Sequence, residues 1–311
     1  MKFAFVFPGQ GSQSIGMLNA FAQNRAVQET LAEASEVLHE DIGRLIAEGP
    51  GEKLGLTTVT QPVMLTADVA IWRAWRAAGG APPALAAGHS LGEYAALVAA
   101  GVLSLSEALP LVRFRATAMQ SATPVGVGSM AAILGLPASV VGEICRAVAE
   151  GEVVEPANFN DPAQTVISGH TSAVERACAA AKDNGAKRAV LLAVSAPFHC
   201  SLMQPAAEAL QSYLKDKPFA TPQIDVLNNV DVSINPVPDL IKDALVRQAW
   251  RAVRWVEIIE RMRADGVTHV VECGPGKVLL GLTKRIDREA FGAAIVDPES
   301  LAQILEMTQC R

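Results

Sequence analysis

The sequence predicts an α/β protein in two parts, a larger one in which strands and helices alternate and a small one inserted into it. Three observations carry that reading. Short apolar runs, residues 3–7 and 83–87, alternate with Ala- and Leu-rich stretches at helical spacing, 60–78 and 93–100. Between 126 and 195 the texture changes to strand (129–134), helix (138–149), strand (153–158), strand (164–168), helix (172–184) and strand (187–194), the split β-α-β-β-α-β order of a ferredoxin-like unit. The chain has 311 residues, 50% hydrophobic and 19% charged, enough for two folded domains and too apolar for disorder. The expected division is 1–125 with 196–311 for the large domain and 126–195 for the small one.

Phe3-Ala4-Phe5-Val6-Phe7 is wholly apolar, as a strand buried on both faces requires, and Pro8-Gly9-Gln10-Gly11-Ser12-Gln13 forms the loop after it. Thr60 is expected to cap the next helix, with Pro62 in its first turn and Val63, Ala67, Ala70, Ile71 and Trp75 at helical spacing up to Gly79-Gly80. The run 83–87 then leads into Gly88-His89-Ser90-Leu91-Gly92 and a helix that stops at Gly101. Ser104 and Glu107 have capping-box spacing and open a helix to Ser121, with Pro110 near its first turns. Arg113 and Arg115 on that helix lie about 200° apart around the axis, so one pocket can receive only one of them. After the small domain, helices over 201–215, 237–248 and 254–265 alternate with strands over 223–228 and 267–273.

A formal net charge of −6 argues against broad binding to nucleic acid or to an anionic membrane. No apolar run reaches the length of a membrane span, and the opening apolar stretch is shorter than a secretory h-region, so a cytoplasmic location is expected. Cys145, Cys178, Cys200, Cys273 and Cys310 show no C-x-x-C pair and are expected to be reduced, buried small hydrophobes rather than nucleophiles or metal ligands.

The chemistry centres on Ser90. A G-x-S-x-G segment between an apolar strand and an Ala-rich helix is a nucleophile elbow, whose glycines permit a strained turn that lifts the hydroxyl into the open. The following helix aims its free N–H groups at the spot where an oxyanion would form. A serine needs a base. His39 reads as solvated, His89 sits inside the elbow and points away from Ser90, and His170 and His269 read as structural or surface residues. His199, in Ser195-Ala196-Pro197-Phe198-His199 between a strand and a helix, has the loop position where such groups collect. Candidate acids between Ser90 and His199, Asp161 for one, fall only in the inserted segment and suit no triad. A backbone carbonyl can orient the base instead, and Arg247-Gln248 at the end of the 237–248 helix is one option.

The blocks Phe5–Gln13, Gln61-Pro62, Gly88–Tyr94, Arg115 with Met119-Gln120, Pro197-Phe198-His199, Asn228-Asn229-Val230 and Gly274-Pro275-Gly276-Lys277, in this order and over nearly the whole chain, resemble the bacterial malonyl-CoA:acyl carrier protein transacylases. The resemblance implies a serine acyltransferase with an α/β-hydrolase-like large domain and an inserted ferredoxin-like small domain. It implies Ser90 as nucleophile, His199 as base and the Gln248 carbonyl as its orienting group. The backbone N–H groups of Gln10 and Leu91 would form the oxyanion hole, Arg115 would pair with the malonyl carboxylate, and Met119 and Phe198 would line the substrate pocket. Bulk at Phe198 matches members that take malonyl rather than methylmalonyl groups. The implied partners are malonyl-CoA and holo acyl carrier protein, in fatty acid biosynthesis, with no metal or redox cofactor.

Two other readings stay open in the sequence. A serine esterase or thioesterase shares elbow and base and uses water as acceptor; a carrier-protein-binding module would have lost catalysis. Gly274–Lys277 lacks phosphate-loop spacing and reads as a tight strand-to-helix turn. Lys284, Arg285 and Arg288 form a basic cluster that suits either an acidic carrier protein or a solvated helix end.

Overall fold

The computed structural model describes residues 1–309, so Cys310 lies outside the described residues. In chain order the first part comprises β1 (Phe3–Phe7), α1 (Arg25–Leu38), α2 (Ile42–Glu48), α3 (Gly51–Leu54), α4 (Thr57–Ala77), β2 (Leu85–Gly88), α5 (Gly92–Ala99) and α6 (Leu105–Ser121). There follow β3 (Gly128–Leu134), α7 (Ala138–Val148), β4 (Val154–Asp161), β5 (Gln164–His170), α8 (Thr171–Asp183) and β6 (Arg188–Leu191). The last part holds α9 (Gln204–Leu214), β7 (Asp225–Leu227), α10 (Pro238–Gln248), α11 (Trp255–Ala264), β8 (His269–Cys273), α12 (Val278–Ile286), β9 (Phe291–Ile295) and α13 (Pro298–Gln309).

The strands form two sheets. The first is parallel, in the order β7-β2-β1-β8-β9, with β1 at its centre. The period-two alternation of a strand divides β1 between two cores. Phe3, Phe5 and Phe7 meet the layer that includes Trp72 and Trp75 of α4, while Ala4 and Val6 meet Trp255, Ile258 and Ile259 of α11. Burial on both faces explains the unbroken apolar run. The second sheet is antiparallel, in the order β4-β5-β3-β6. One face, through Ala131, Ile133 and Ile167, packs on α7 and α8; the other, through Met130, Ala132 and Val166, turns to Met119 and Phe198. A cleft therefore lies between the sheets.

Local signals account for several boundaries. Ser104 Oγ accepts from the Glu107 N–H at 3.2 Å and Glu107 returns the bond to the Ser104 N–H at 2.8 Å, the expected capping box. The start of α4 departs from expectation. The helix begins at Thr57, and Thr60 lies inside it, donating to the Leu54 and Leu56 carbonyls at 2.6 and 3.0 Å. Leu56 caps without a side-chain bond, so the residue types there carry no start signal. Elements α1 to α3, β9 and α13 add to those expected, and α12 is the helix that the turn at Gly274–Lys277 leads into. Among the described residues no helix is long and apolar enough to cross a membrane.

The glycines of the elbow are required by close approach of backbone. A Cβ on Gly88 would sit 1.8 Å from the Gly92 carbonyl carbon, and one on Gly92 would sit 2.0 Å from the Phe7 oxygen. Gly88→Ala is therefore expected to destabilise the fold by at least about 2 kcal/mol through forced backbone displacement, measured as a lowered denaturant midpoint; an unchanged midpoint would contradict the packing.

Candidate active site

The site assembles at the carboxyl ends of β1 and β2, where the loops of a parallel sheet converge. Ser90 stands between β2 and α5 with φ of 51°, a left-handed conformation that costs a non-glycine residue about 1–3 kcal/mol. The loop after β1 packs directly against this turn: a Cβ on Gly9 would meet the His89 oxygen at 2.4 Å. That contact brings Gln10 beside the elbow.

His199, itself left-handed at φ 61° and buried, reaches in from the loop after β6. Its Nε2 lies 2.7 Å from Ser90 Oγ and its Nδ1 lies 2.8 Å from the Gln248 carbonyl oxygen. A carbonyl only accepts, so Nδ1 carries the proton and Nε2 is the free acceptor for the Ser90 hydroxyl. The group that orients the imidazole is thus a peptide oxygen at the end of α10, in place of a carboxylate. Burial, and then the neighbouring Arg115 guanidinium, push the His199 pKa down to about 3.

Arg115, 1% exposed, lies along α6 with its guanidinium in the cleft. Nη1 donates to Gln61 Oε1 at 2.7 Å, and Nη2 donates to Gln248 Oε1 at 2.9 Å and to Ser90 Oγ at 3.1 Å. The Tyr94 ring lies beneath it at 5.3 Å. Every hydrogen-bond partner is neutral, and among the described residues no carboxylate makes an ion pair with it. Arg113, on the opposite side of α6, pairs with Glu40 at 2.7 Å, as the angular separation requires.

Gln10, Leu91, Met119 and Phe198 line the same cleft as Ser90, Arg115 and His199. Among the described residues the backbone N–H groups of Gln10 and Leu91 have no acceptor, whereas that of Ser90 is bound to Asn229 Oδ1 at 2.7 Å. Two free donors therefore flank Ser90, and the arrangement can accept a carbonyl that acquires negative charge.

The remaining candidates lie elsewhere or face away. His89 turns its Nε2 to Asn160 Oδ1 at 2.9 Å, His170 Nδ1 accepts from the Val153 N–H at 2.9 Å, His269 lies against Phe291 at 5.1 Å, and His39 is an exposed helix end. Asp161 pairs with Arg285 at 2.6 Å, which removes that arginine from the basic cluster and leaves Lys284 and Arg288 exposed. Cys200 is buried, its Sγ donates to the Pro197 oxygen at 3.2 Å, and burial pushes its thiol up to about 11. Cys145, Cys178 and Cys273 are likewise free and buried. Gly274–Lys277 is the turn between β8 and α12. Among the described residues no cluster of three metal-ligating side chains occurs.

Residue-by-residue reading assigned no role to Glu93 or Asn229. Glu93, 2% exposed in the first turn of α5, accepts on Oε2 from the Asn229 N–H at 3.0 Å and from Gln248 Nε2 at 2.8 Å; burial pushes its pKa up to about 7. Gln248 Nε2 also donates to the Ser90 carbonyl at 2.9 Å. Glu93 follows the elbow by one residue, but its partners come from β7 and α10, and no local spacing announces them.

Residues 4–299 match the acyl transferase domain family. The chain is 52% identical to the malonyl CoA-acyl carrier protein transacylase of Escherichia coli strain K12 over 98% of its own length and 99% of that protein's. It is similar to the crystal structure of an acyl-carrier-protein S-malonyltransferase from Burkholderia pseudomallei 1710b, with 60% identity, a TM-score of 0.97, and coverage of 98% and 100% of the two chains. A further similar structure holds a type II polyketide synthase acyl-carrier protein in complex with its malonyl-transacylase, at 50% identity, a TM-score of 0.97, and coverage of 99% and 100%.

A folded-state pKa pushed down to about 3, against about 6.5 for a solvated imidazole, keeps His199 neutral throughout the ordinary pH range. Its contribution to stability is present above about 6.5 and is lost as pH falls toward the folded value. Imidazole carbon–proton NMR, assigned with His199→Asn, should show the His199 signal at its neutral position down to about pH 4.5; a midpoint near 6.5 would contradict the environment described.

Proposed function

The chain belongs to the acyl transferase domain family, and we infer from its site how it transfers a malonyl group from malonyl-CoA to the phosphopantetheine thiol of acyl carrier protein. The observation that carries the reading is a buried guanidinium with neutral partners only, set beside a serine already bonded to its base.

In the first half-reaction the Ser90 hydroxyl gives its proton to His199 Nε2 as Oγ attacks the malonyl thioester carbon. The carbonyl oxygen becomes an oxyanion held by the N–H groups of Gln10 and Leu91, and the Gln248 carbonyl steadies the imidazolium through Nδ1. Collapse breaks the carbon–sulfur bond, and His199 returns the proton to the departing CoA thiolate. In the second half His199 takes the proton of the carrier-protein thiol, the sulfur attacks the Ser90 ester carbon, collapse of the adduct breaks the carbon–Oγ bond, and the proton returns to Oγ.

Arg115 selects the acyl group. A guanidinium presents parallel donors that match a carboxylate in bidentate fashion, whereas an acetyl group would leave this cation with neutral company alone. Met119 and Phe198 close the other side, and the bulk of Phe198 disfavours a branched methylmalonyl group. In fold terms we read the large domain, 1–125 with 196–311, as α/β-hydrolase-like and the 126–195 insert as ferredoxin-like; the strand order β4-β5-β3-β6 supports the latter. The product serves fatty acid biosynthesis, and the reading puts the protein in the cytoplasm with its soluble substrates.

Two measurements test this. Peptide mass mapping after exposure to malonyl-CoA should find a malonyl ester on Ser90, and release of malonate to water as fast as transfer to holo carrier protein would make the protein a thioesterase instead. Arg115→Ala should lower malonyl transfer by about a hundredfold or more while changing the slow acetyl reaction much less; equal losses for both donors would remove Arg115 from selection.

A further inference from the structure

Asn229 lies on the loop after β7 and is fully buried. Its side chain brackets the strained turn. Oδ1 accepts from the Ser90 N–H at 2.7 Å and Nδ2 donates to the Gly88 carbonyl at 2.7 Å. The two bonds have opposite polarity, so only a group offering one acceptor and one donor side by side satisfies both. Its own backbone is held as well, the N–H by Glu93 Oε2 at 3.0 Å and the carbonyl by the Arg254 N–H at 3.1 Å.

We propose that Asn229 is a positioning residue that holds Ser90 in its left-handed conformation, offsetting the strain of that turn from a loop remote in sequence. By occupying the Ser90 N–H it also reserves the oxyanion position for the neighbouring Leu91 N–H, which the fixed turn aims into the cleft. The inference rests on the reading of Ser90 as the acyl-accepting nucleophile. Without the clamp, the peptide on either side of Ser90 relaxes toward ordinary backbone angles, and the hydroxyl and the oxyanion donor move together.

The test exploits the two polarities. Asn229→Ala loses both bonds. Asn229→Asp keeps both only while the carboxyl is protonated, accepting from Ser90 and donating to Gly88; once ionised it sets an oxygen against the Gly88 carbonyl. The charged groups facing that position are Glu93 from α5, Arg254 at the head of α11, and Asp231 with its partner Arg247 of α10, while Arg115 and His199 lie across Ser90. Burial raises a carboxyl placed there, and Glu93 raises it further once ionised, so the acid form prevails at low pH.

The readouts are the rate of Ser90 labelling by a fluorophosphonate and the single-turnover rate of malonyl ester formation, both on protein shown folded by circular dichroism. Asn229→Ala should lose about a hundredfold in both, with the KM for malonyl-CoA within about threefold of wild type. Asn229→Asp should approach wild type at about pH 5.5 and lose at least about tenfold by about pH 8.5, a direction opposite to any activation by a base. A folded Asn229→Ala that labels at the wild-type rate, or an Asn229→Asp with a flat profile, overturns the proposal. Wild-type protein that labels with the phosphonate but takes no malonyl would sink the malonyl reading alone, and the clamp would then be judged on labelling.

Discussion

The left-handed turn at Ser90 constrains much of the molecule around it. A serine at φ 51° is unfavourable in isolation and persists because glycines at 9, 88 and 92 let three stretches of backbone approach more closely than any side chain allows. The turn ends β2, an interior strand beside the central β1, so the rigidity of these two strands, buried on both faces, is passed directly to the hydroxyl. The Asn229 side chain adds a hydrogen-bonded brace from the loop after β7, the neighbouring strand on the other side.

Around that turn the polar groups form one continuous network. Gln248 joins its parts: its peptide oxygen accepts from His199, its side-chain oxygen accepts from Arg115, and its side-chain nitrogen donates to Glu93 and to the Ser90 carbonyl. The orientation of that amide follows from its neighbours, because Arg115 can only donate and a carbonyl can only accept. The buried cation is left bound but not neutralised in contact. An ion pair at Arg115 would cancel its charge in contact, whereas neutral acceptors hold its geometry and leave that charge available to an anion.

The same burial that sharpens these interactions sets the basicity of His199. Desolvation and the adjacent guanidinium hold its pKa at about 3, so the free imidazole is in the accepting form throughout the ordinary pH range. On the proposed reading, a malonyl carboxylate on Arg115 would neutralise the second of these two influences and so raise the basicity of His199.

Much was legible along the chain because it is local. The unbroken run Phe3–Phe7 marks a strand with two buried faces, the glycines around Ser90 mark a turn that side chains would obstruct, and Ser104 with Glu107 marks a helix start. The alternation over 126–195 likewise exposes the second sheet's strands and helices. The start of α4 was not legible, since Leu56 carries no capping side chain, and α2 and α3 are too short to show a period; α1 did carry a local signal, Asn24 as its cap with Val27, Leu31, Ala34 and Leu38 at helical spacing. At the site, residue types alone proposed Ser90 and His199, but their separation of 109 residues is closed to 2.7 Å only by the fold. Residue types alone left open which of Arg113 and Arg115 enters the cleft and which peptide oxygen holds the imidazole; the family resemblance pointed to Arg115 and Gln248, and the tertiary structure brings both to Ser90 and His199 and sets Glu93 and Asn229 against the elbow. Periodicity reports the environment of a strand or helix along its own length; hydrogen bonds between β2, β7, α6 and α10 join positions far apart in sequence, and no local pattern encodes such a meeting.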